Sequence, residues 1–222
     1  MSVNIAIDGP AGAGKSTIAR KLAHEMSYIY VDTGAMYRAM ALYFLQNKID
    51  SGDEAAIGKA CGTVEVSIGY EGGEQQVLLN GENVSGQIRT EEVGNMASAV
   101  SVYRAVREKL VELQQQLAAN ENVIMDGRDI GTCVLPKAQV KIYLTASVEC
   151  RAKRRYDELC AKGAECSLAE ISKDIEERDR RDMNREISPL RQAEDAVLVD
   201  TSDMNIEEVV SVIRGICKEK MA

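Results

Sequence analysis

Val3-Asn4-Ile5-Ala6-Ile7-Asp8 runs directly into Gly9-Pro10-Ala11-Gly12-Ala13-Gly14-Lys15-Ser16-Thr17, and the reading of that junction decides the fold. It is a complete G-x-x-x-x-G-K-[ST] pattern placed after an apolar strand and before a stretch of helical period, Ile18-Ala19-Arg20-Lys21-Leu22-Ala23. A phosphate-binding loop requires that context. The chain leaves a buried strand, turns through glycines that let backbone amides approach an anion, and opens a helix whose first N–H groups face the phosphates. Lys15 is then expected to reach the β- and γ-phosphates, and the Ser16 hydroxyl to ligate Mg²⁺. The competing reading is a glycine-rich strand-to-helix turn that binds nothing.

The bulk of the chain sets outer limits. With 222 residues, 45% hydrophobic and 28% charged, it suits one elaborated α/β domain with an ample core. A formal net charge of −8 argues against a general nucleic-acid or membrane-surface binder, which draws affinity from excess Lys and Arg. No apolar stretch approaches the roughly 18 residues of a spanning helix, and the opening residues lack the pattern of a signal peptide. Cys61, Cys133, Cys150, Cys160, Cys166 and Cys217 contain no C-x-x-C pair, so reduced thiols and a cytoplasmic location are expected rather than a metal cage or disulfide framework. The single histidine, His24, reads as an exposed helix residue. Eight of the fifteen arginines lie between Arg151 and Arg191. An acidic chain that gathers its arginines locally points to small polyanions.

Strands are expected at Val3–Ile7, Tyr28–Val31, Val123–Met125, Val140–Leu144 and Ala196–Val199. Helices are expected from Ser16 to about Met26, Thr33 to about Gln46, Thr90 to Ala119 as one long element, Val148–Lys162, Leu168–Arg185 and Ile206–Glu219. Apolar strands alternating with helices make a parallel sheet covered on both faces. Between Thr63 and Val84 the rhythm changes to period two, and Asn80-Gly81 marks a hairpin turn, so a small antiparallel meander is expected there.

Several clusters lie at expected strand ends, where α/β sheets bind ligands. Asp32-Thr33-Gly34-Ala35-Met36-Tyr37-Arg38 follows the second strand, with Asp32 or Thr33 capping the next helix. Asp126-Gly127-Arg128-Asp129-Ile130-Gly131-Thr132 follows the third. Arg128 can fork onto a phosphate, and Asp129 can accept from an exocyclic base amine; a plain ion-paired turn is the alternative. Arg151, Arg154 and Arg155 share one helix face, and Arg178, Arg181, Asp182 and Arg185 share another. Either face could be a solvated, salt-bridged surface, but beside a phosphate loop they match what phosphoryl transfer needs: cations that neutralise and align two phosphate groups. Asn47-Lys48-Ile49-Asp50 matches the N-K-x-D guanine pattern but sits at a helix end some thirty residues past the loop, without a D-x-x-G, and is read as chance.

Taken in order, IAIDGPAGAGKST at 5–17, DTGAMYRAMAL at 32–42, LNGENVSGQIRTEEV at 79–93, SVYRAVRE at 101–108, DGRDIGTCVLP at 126–136 and ERDRRDMNREISPL at 177–190 resemble the bacterial-type cytidylate (CMP) kinase family over essentially the whole chain. The resemblance implies a P-loop NTPase-type five-stranded parallel sheet flanked by helices, with a small antiparallel insert and a helical lid. It implies a single nucleoside monophosphate kinase domain over 1–222: a core of about 1–32, 120–148 and 187–222, a monophosphate-binding region of about 33–119 with its insert at 63–84, and a lid at about 149–186. Gly9, Pro10, Ala11, Gly12, Ala13, Gly14, Lys15, Ser16 and Thr17 would hold the ATP phosphates, and Arg151, Arg154 and Arg155 would close over ATP. Arg38, Arg128 and Arg185 would grip the CMP phosphate, with Thr33 and Tyr37 in the acceptor site. Ser98, Arg107 and Asp129 would read cytosine, and Arg178 with Asp182 would contact the pentose. Lys15, Arg128, Arg178 and Arg185 would be the catalytic cations. Ser16 stands where some members carry Gly, which favours Mg²⁺ ligation here. The expected reaction is transfer of the γ-phosphoryl group of Mg·ATP to CMP or dCMP by a monomer. The rivals are a kinase for another acceptor such as UMP, and a non-catalytic nucleotide switch.

Overall fold

A computed structural model describes residues 2–72, 74–161 and 163–221. The elements follow as β1 (Asn4–Asp8), α1 (Lys15–Met26), β2 (Ile29–Asp32), α2 (Thr33–Gln46), α3 (Glu54–Cys61), β3 (Val66–Glu71), β4 (Glu74–Leu79) and β5 (Glu82–Asn83). Then come α4 (Glu91–Val100), α5 (Arg104–Asn120), β6 (Val123–Gly127), a π-helical turn (Ile130–Val134), β7 (Val140–Thr145), α6 (Val148–Ala161), α7 (Leu168–Asn184), β8 (Val197–Asp200) and α8 (Ile206–Lys220). The strands form a five-stranded sheet of order β2-β6-β1-β7-β8 and a three-stranded sheet of order β3-β4-β5. The chain divides into two compact units, Met1–Tyr30 with Glu121–Ala222, and Val31–Asn120.

In the first unit β1 is central, parallel to β6 on one side and β7 on the other, with Ile5 opposite both Ile124 and Val140. Central parallel strands are covered on both faces, and their sequence is accordingly apolar throughout. Ile5, Ile7, Ile124 and Ile142 are buried with Ile18 and Leu22 of α1 and Val210 and Ile213 of α8 in one cluster. Each such side chain contributes about 1.5–3 kcal/mol. The carboxyl ends of β1 and β6 therefore project from a rigid platform, and the chemistry-bearing loops leave from there. A smaller cluster joins α6 to α7 through Ala152, Ile171 and Ile175.

In the second unit α2 is capped by Asp32, whose side chain accepts from Ala35 N. The meander is present at β3–β5, and its Asn80-Gly81 turn has positive φ at both residues, 50° and 86°, as a type I′ hairpin turn requires. One expectation fails. The helix read as continuous from Thr90 to Ala119 is two helices, α4 and α5. At the break Ser101 Oγ donates to Ser98 O at 2.9 Å and Arg107 Nη1 donates to Ser101 O at 3.2 Å. Side chains thus satisfy carbonyls that a continuous helix would have bonded itself. The short α3, capped by Asp53, was absent from the sequence reading because eight residues containing Gly58 give little periodic signal. The expected end of α6 at Lys162 lies outside the described residues. No helix among the described residues is long and apolar enough to cross a membrane.

Candidate active site

The phosphate loop leaves β1 at Asp8. Gly9 has φ +151°, and a Cβ there would meet Leu144 O of β7 at 1.9 Å, so only glycine lets the chain turn this close to the neighbouring strand. Gly12 and Gly14 have φ +75° and +88°. Gly14 precedes α1 with no side-chain cap, and the first turn of α1 holds no acidic residue, leaving its amides directed at the loop's concavity. Lys15 is buried and donates to Pro10 O at 2.8 Å. Its ammonium is pushed down to about 7, chiefly by burial and then by repulsion from Arg128, against the attraction of Asp126, Asp8 and Asp182. Ser16 Oγ donates to Asp126 Oδ2 at 2.9 Å, and Tyr30 OH donates to Asp126 Oδ1 at 2.9 Å. A hydroxyl and a carboxylate oxygen side by side, next to a phosphate cradle, are the hard donors Mg²⁺ takes, so this pair fits the metal. The loop and Arg151, Arg154 and Arg155 line a cavity of about 930 Å³ that continues to Thr201 and Asn205.

The three arginines of α6 differ in their engagement. Arg151 is buried, donating to Ala146 O and Ala11 O at 2.9 Å each and pairing with Asp179 at 2.7 Å. Arg154 donates to Thr201 O at 2.7 Å. Arg155 is half-exposed and pairs with Glu158 at 3.0 Å.

At the end of β6, Arg128 Nε donates to Asp182 Oδ2 at 2.8 Å, and Arg185 Nη2 lies 3.4 Å from Asp129 Oδ1. Burial works to raise the Asp182 carboxyl, but Arg128, Arg178 and Arg185 outweigh it and hold it below the usual carboxylate range. Five residues that the sequence spreads over 128–185 thus form one network of alternating charge, with the two carboxylates buried and the three arginines half-buried. In the second unit Thr33 is buried at the start of α2, and the Arg107 guanidinium lies 5.7 Å from the centre of the Tyr37 ring, a cation–π distance. Arg38 Nη1 donates to Ile88 O at 3.4 Å. A Cβ on Gly94 would lie 2.9 Å from that Nη1, so α4 is hollowed for this guanidinium. Ser98 is half-buried on α4, three residues before the helix break.

Sequence reasoning missed three participants. Asp126 was noted only as a carboxylate beside Arg128; that an acid closing an apolar strand faces the loop's hydroxyl was the available signal. Asp8, whose carboxylate accepts from Ile130 N and Gly131 N at 2.7 Å each, had no signal beyond its place before Gly9. Arg89, paired with Asp32 at 2.6 Å, had none.

A sequence model of the cytidylate kinase family matches residues 5–219. The chain belongs to that family. A cytidylate kinase from Lactobacillus johnsonii is 51% identical over 218 residues, covering 98% of this chain and 95% of that one. One from Carboxydothermus hydrogenoformans is 51% identical over 220 residues, covering 98% of each. Among solved structures, a gluconokinase from Sinorhizobium meliloti aligns over 99% of this chain and 94% of its own, with a TM-score of 0.51 at 13% identity. That likeness shows the shared fold. Members of the cytidylate kinase family are ATP-dependent phosphotransferases.

Proposed function

We propose that this chain transfers the γ-phosphoryl group of Mg·ATP to CMP or dCMP, giving CDP or dCDP and ADP, as a monomer in the cytoplasm. The observation that carries the reading is the placement of two phosphate-type cations at neighbouring strand ends: Lys15 opens the helix after β1 and Arg128 follows β6, and the two strands pair in register with Asp8 opposite Gly127. Two cations held in one field are relieved by anions set between them. A phosphoryl donor and a phosphate acceptor supply those anions, with the repulsion between the two phosphates screened in turn.

The Gly9–Thr17 amides and Lys15 hold the ATP phosphates, and Ser16 with Asp126 would hold Mg²⁺, which supplies charge neutralisation on the phosphate oxygens when bound. Arg38, Arg128 and Arg185 take the CMP phosphate, with Thr33 and Tyr37 beside it. Ser98, Arg107 and Asp129 read the base, and Arg178 and Asp182 take the sugar. Arg154 and Arg155 face ATP, whereas Arg151 acts from beneath the loop by holding the Ala11 carbonyl. The acceptor is already an anion at neutral pH, so no side chain need remove a proton, and alignment dominates. The helices carrying the arginines, at about 149–186, serve as the lid that excludes water. A coupled ADP-release assay across CMP, dCMP, UMP, AMP and GMP tests the proposal. CMP and dCMP should lead; preference for UMP or AMP, or nucleotide binding without turnover on any acceptor, refutes it. Asp129→Asn should erode the preference for CMP over UMP.

A further inference from the structure

The phosphate loop and the Arg128–Asp129 loop leave adjacent strands, β1 and β6, paired in register with Asp8 opposite Gly127. Strand pairing ends there, yet both loops must hold their geometry beyond it. Asp8 spans that gap. Its backbone opens the phosphate loop, next to the constrained Gly9. Its side chain, 4% exposed, accepts at 2.7 Å from Ile130 N and at 2.7 Å from Gly131 N. Those are the first two amides of the π-helical turn, so no earlier turn supplies them an acceptor. Two of the turn's own hydrogen bonds run back to Asp129 O, from Cys133 N at 2.8 Å and Val134 N at 3.1 Å, and a third from Leu135 N to Ile130 O at 2.6 Å. The Asp129–Ile130 peptide is therefore held through its carbonyl by the turn and through its N–H by Asp8, which also takes the N–H of the next peptide, at Gly131. The fit is close: a Cβ on Gly131 would lie 3.2 Å from Asp8 Oδ2 and 3.2 Å from Lys141 Cδ.

We propose that Asp8 is a positioning residue that locks the acceptor-side loop, Arg128–Gly131, to the donor loop, so that the base- and phosphate-contacting groups Asp129 and Arg128 are set by the same carboxylate from which the phosphate loop departs. The kinetic half of this proposal rests on the phosphotransfer reading above; the geometric half does not. A carboxylate suits the task because both bonds are to N–H donors and an anion accepts both, whereas an amide presents one wrong partner. Burial pushes the Asp8 carboxyl up to about 6, opposed by the two amides and by Lys15 and reinforced by Asp129, so it remains an anion at neutral pH. A group that serves only to fill space would not retain a buried charge.

The test uses Asp8→Asn and, approaching the same contact from the other partner, Gly131→Ala. In the wild type the Ile130 and Gly131 amides should exchange slowly with solvent, and in Asp8→Asn they should exchange at least about 100-fold faster relative to the β1 amides. Both variants should raise KM for CMP about tenfold or more and reduce the CMP-over-UMP ratio, with KM for ATP changed by less than about twofold. A merely structural role would lower thermal stability and reduce active enzyme without splitting the two KM values. Equal rises in both KM values, or wild-type exchange and constants in both variants, overturns the proposal. Should Asp8→Asn fail to fold, Gly131→Ala alone decides by the same KM split. A wild type inactive on CMP refutes the phosphotransfer reading, while the exchange rates still judge the link from Asp8 to the turn.

Discussion

Asp179→Ala should destabilise the protein by about 3 kcal/mol, although residue 179 lies on α7 and is assigned no contact with substrate. Its carboxylate receives the Arg151 guanidinium at 2.7 Å, with the two side chains only 5% and 11% exposed. Breaking a buried pair from one side costs about 3–5 kcal/mol, because a desolvated charge is left behind. The low end applies to Asp179→Ala, since Arg151 keeps the carbonyls of Ala146 and Ala11. Arg151→Met should cost more, about 4–5 kcal/mol. It deletes all three charge-assisted contacts and leaves a buried carboxylate whose Oδ1 already lacks a hydrogen-bond partner among the described residues. The double variant Arg151→Met/Asp179→Ala should cost less than the two singles together, with a coupling of about 2–3 kcal/mol. Urea denaturation followed by circular dichroism measures all four proteins. Because Arg151 also holds the Ala11 carbonyl of the phosphate loop, Arg151→Met should raise KM for ATP more than KM for CMP. A cost below about 1 kcal/mol for Asp179→Ala, the range of exposed pairs, or strict additivity in the cycle would refute the picture of a desolvated strut beneath the loop.

Gly9→Ala should remove more than about 4 kcal/mol of stability, since neither the Cβ position 1.9 Å from Leu144 O nor the positive φ can be relieved without parting β1 from β7; recovery of folded protein with a wild-type melting temperature would contradict it. Asp126→Asn keeps an oxygen for one of the two hydroxyls, Ser16 or Tyr30, and sets its NH2 against the other, which can rotate to accept; with the charge lost, the fold should persist while the Mg²⁺ concentration for half-maximal rate rises at least about tenfold, ~1.4 kcal/mol, and activity titrated against Mg²⁺ gives the value. Asp8 supplies a pH signature. Its carboxyl is raised from 3.8 to about 6 in the folded protein, so between those values the native state binds the additional proton and this group's contribution to stability falls as pH rises, by ~3 kcal/mol in full. Subtracting the stability–pH curve of Asp8→Asn from that of the wild type should expose that decline between pH 4 and 6, and a flat difference would show that the carboxyl is not desolvated.

Much of the fold was legible because parallel core strands need continuous apolar runs and helices need period and caps. The five sheet strands were anticipated to within about two residues, and α2, with its Asp32 cap, matched from Thr33 to Gln46. What escaped was set by contacts distant in sequence or by local side-chain bonds. Nothing in the periodicity of 90–119 announced that Ser101 and Arg107 would take over carbonyls and divide the helix. The same holds for the site. Residue type and spacing nominated the phosphate loop, Arg128, Asp129 and the arginines of α6 and α7, because cradling phosphate demands glycine, lysine and forked cations in set patterns.

By itself, then, the sequence determined the phosphate loop, the α/β class and which cations were available, since each depends on neighbours within a few residues. Only the tertiary structure decided how those cations are committed. It put Arg151 under the loop rather than merely on a helix face, Asp126 against Ser16 from 110 residues away, and Asp8 onto the amides of Ile130 and Gly131. Those choices follow from strand order in a parallel sheet, which brings the carboxyl ends of β1 and β6 together regardless of the sequence between them.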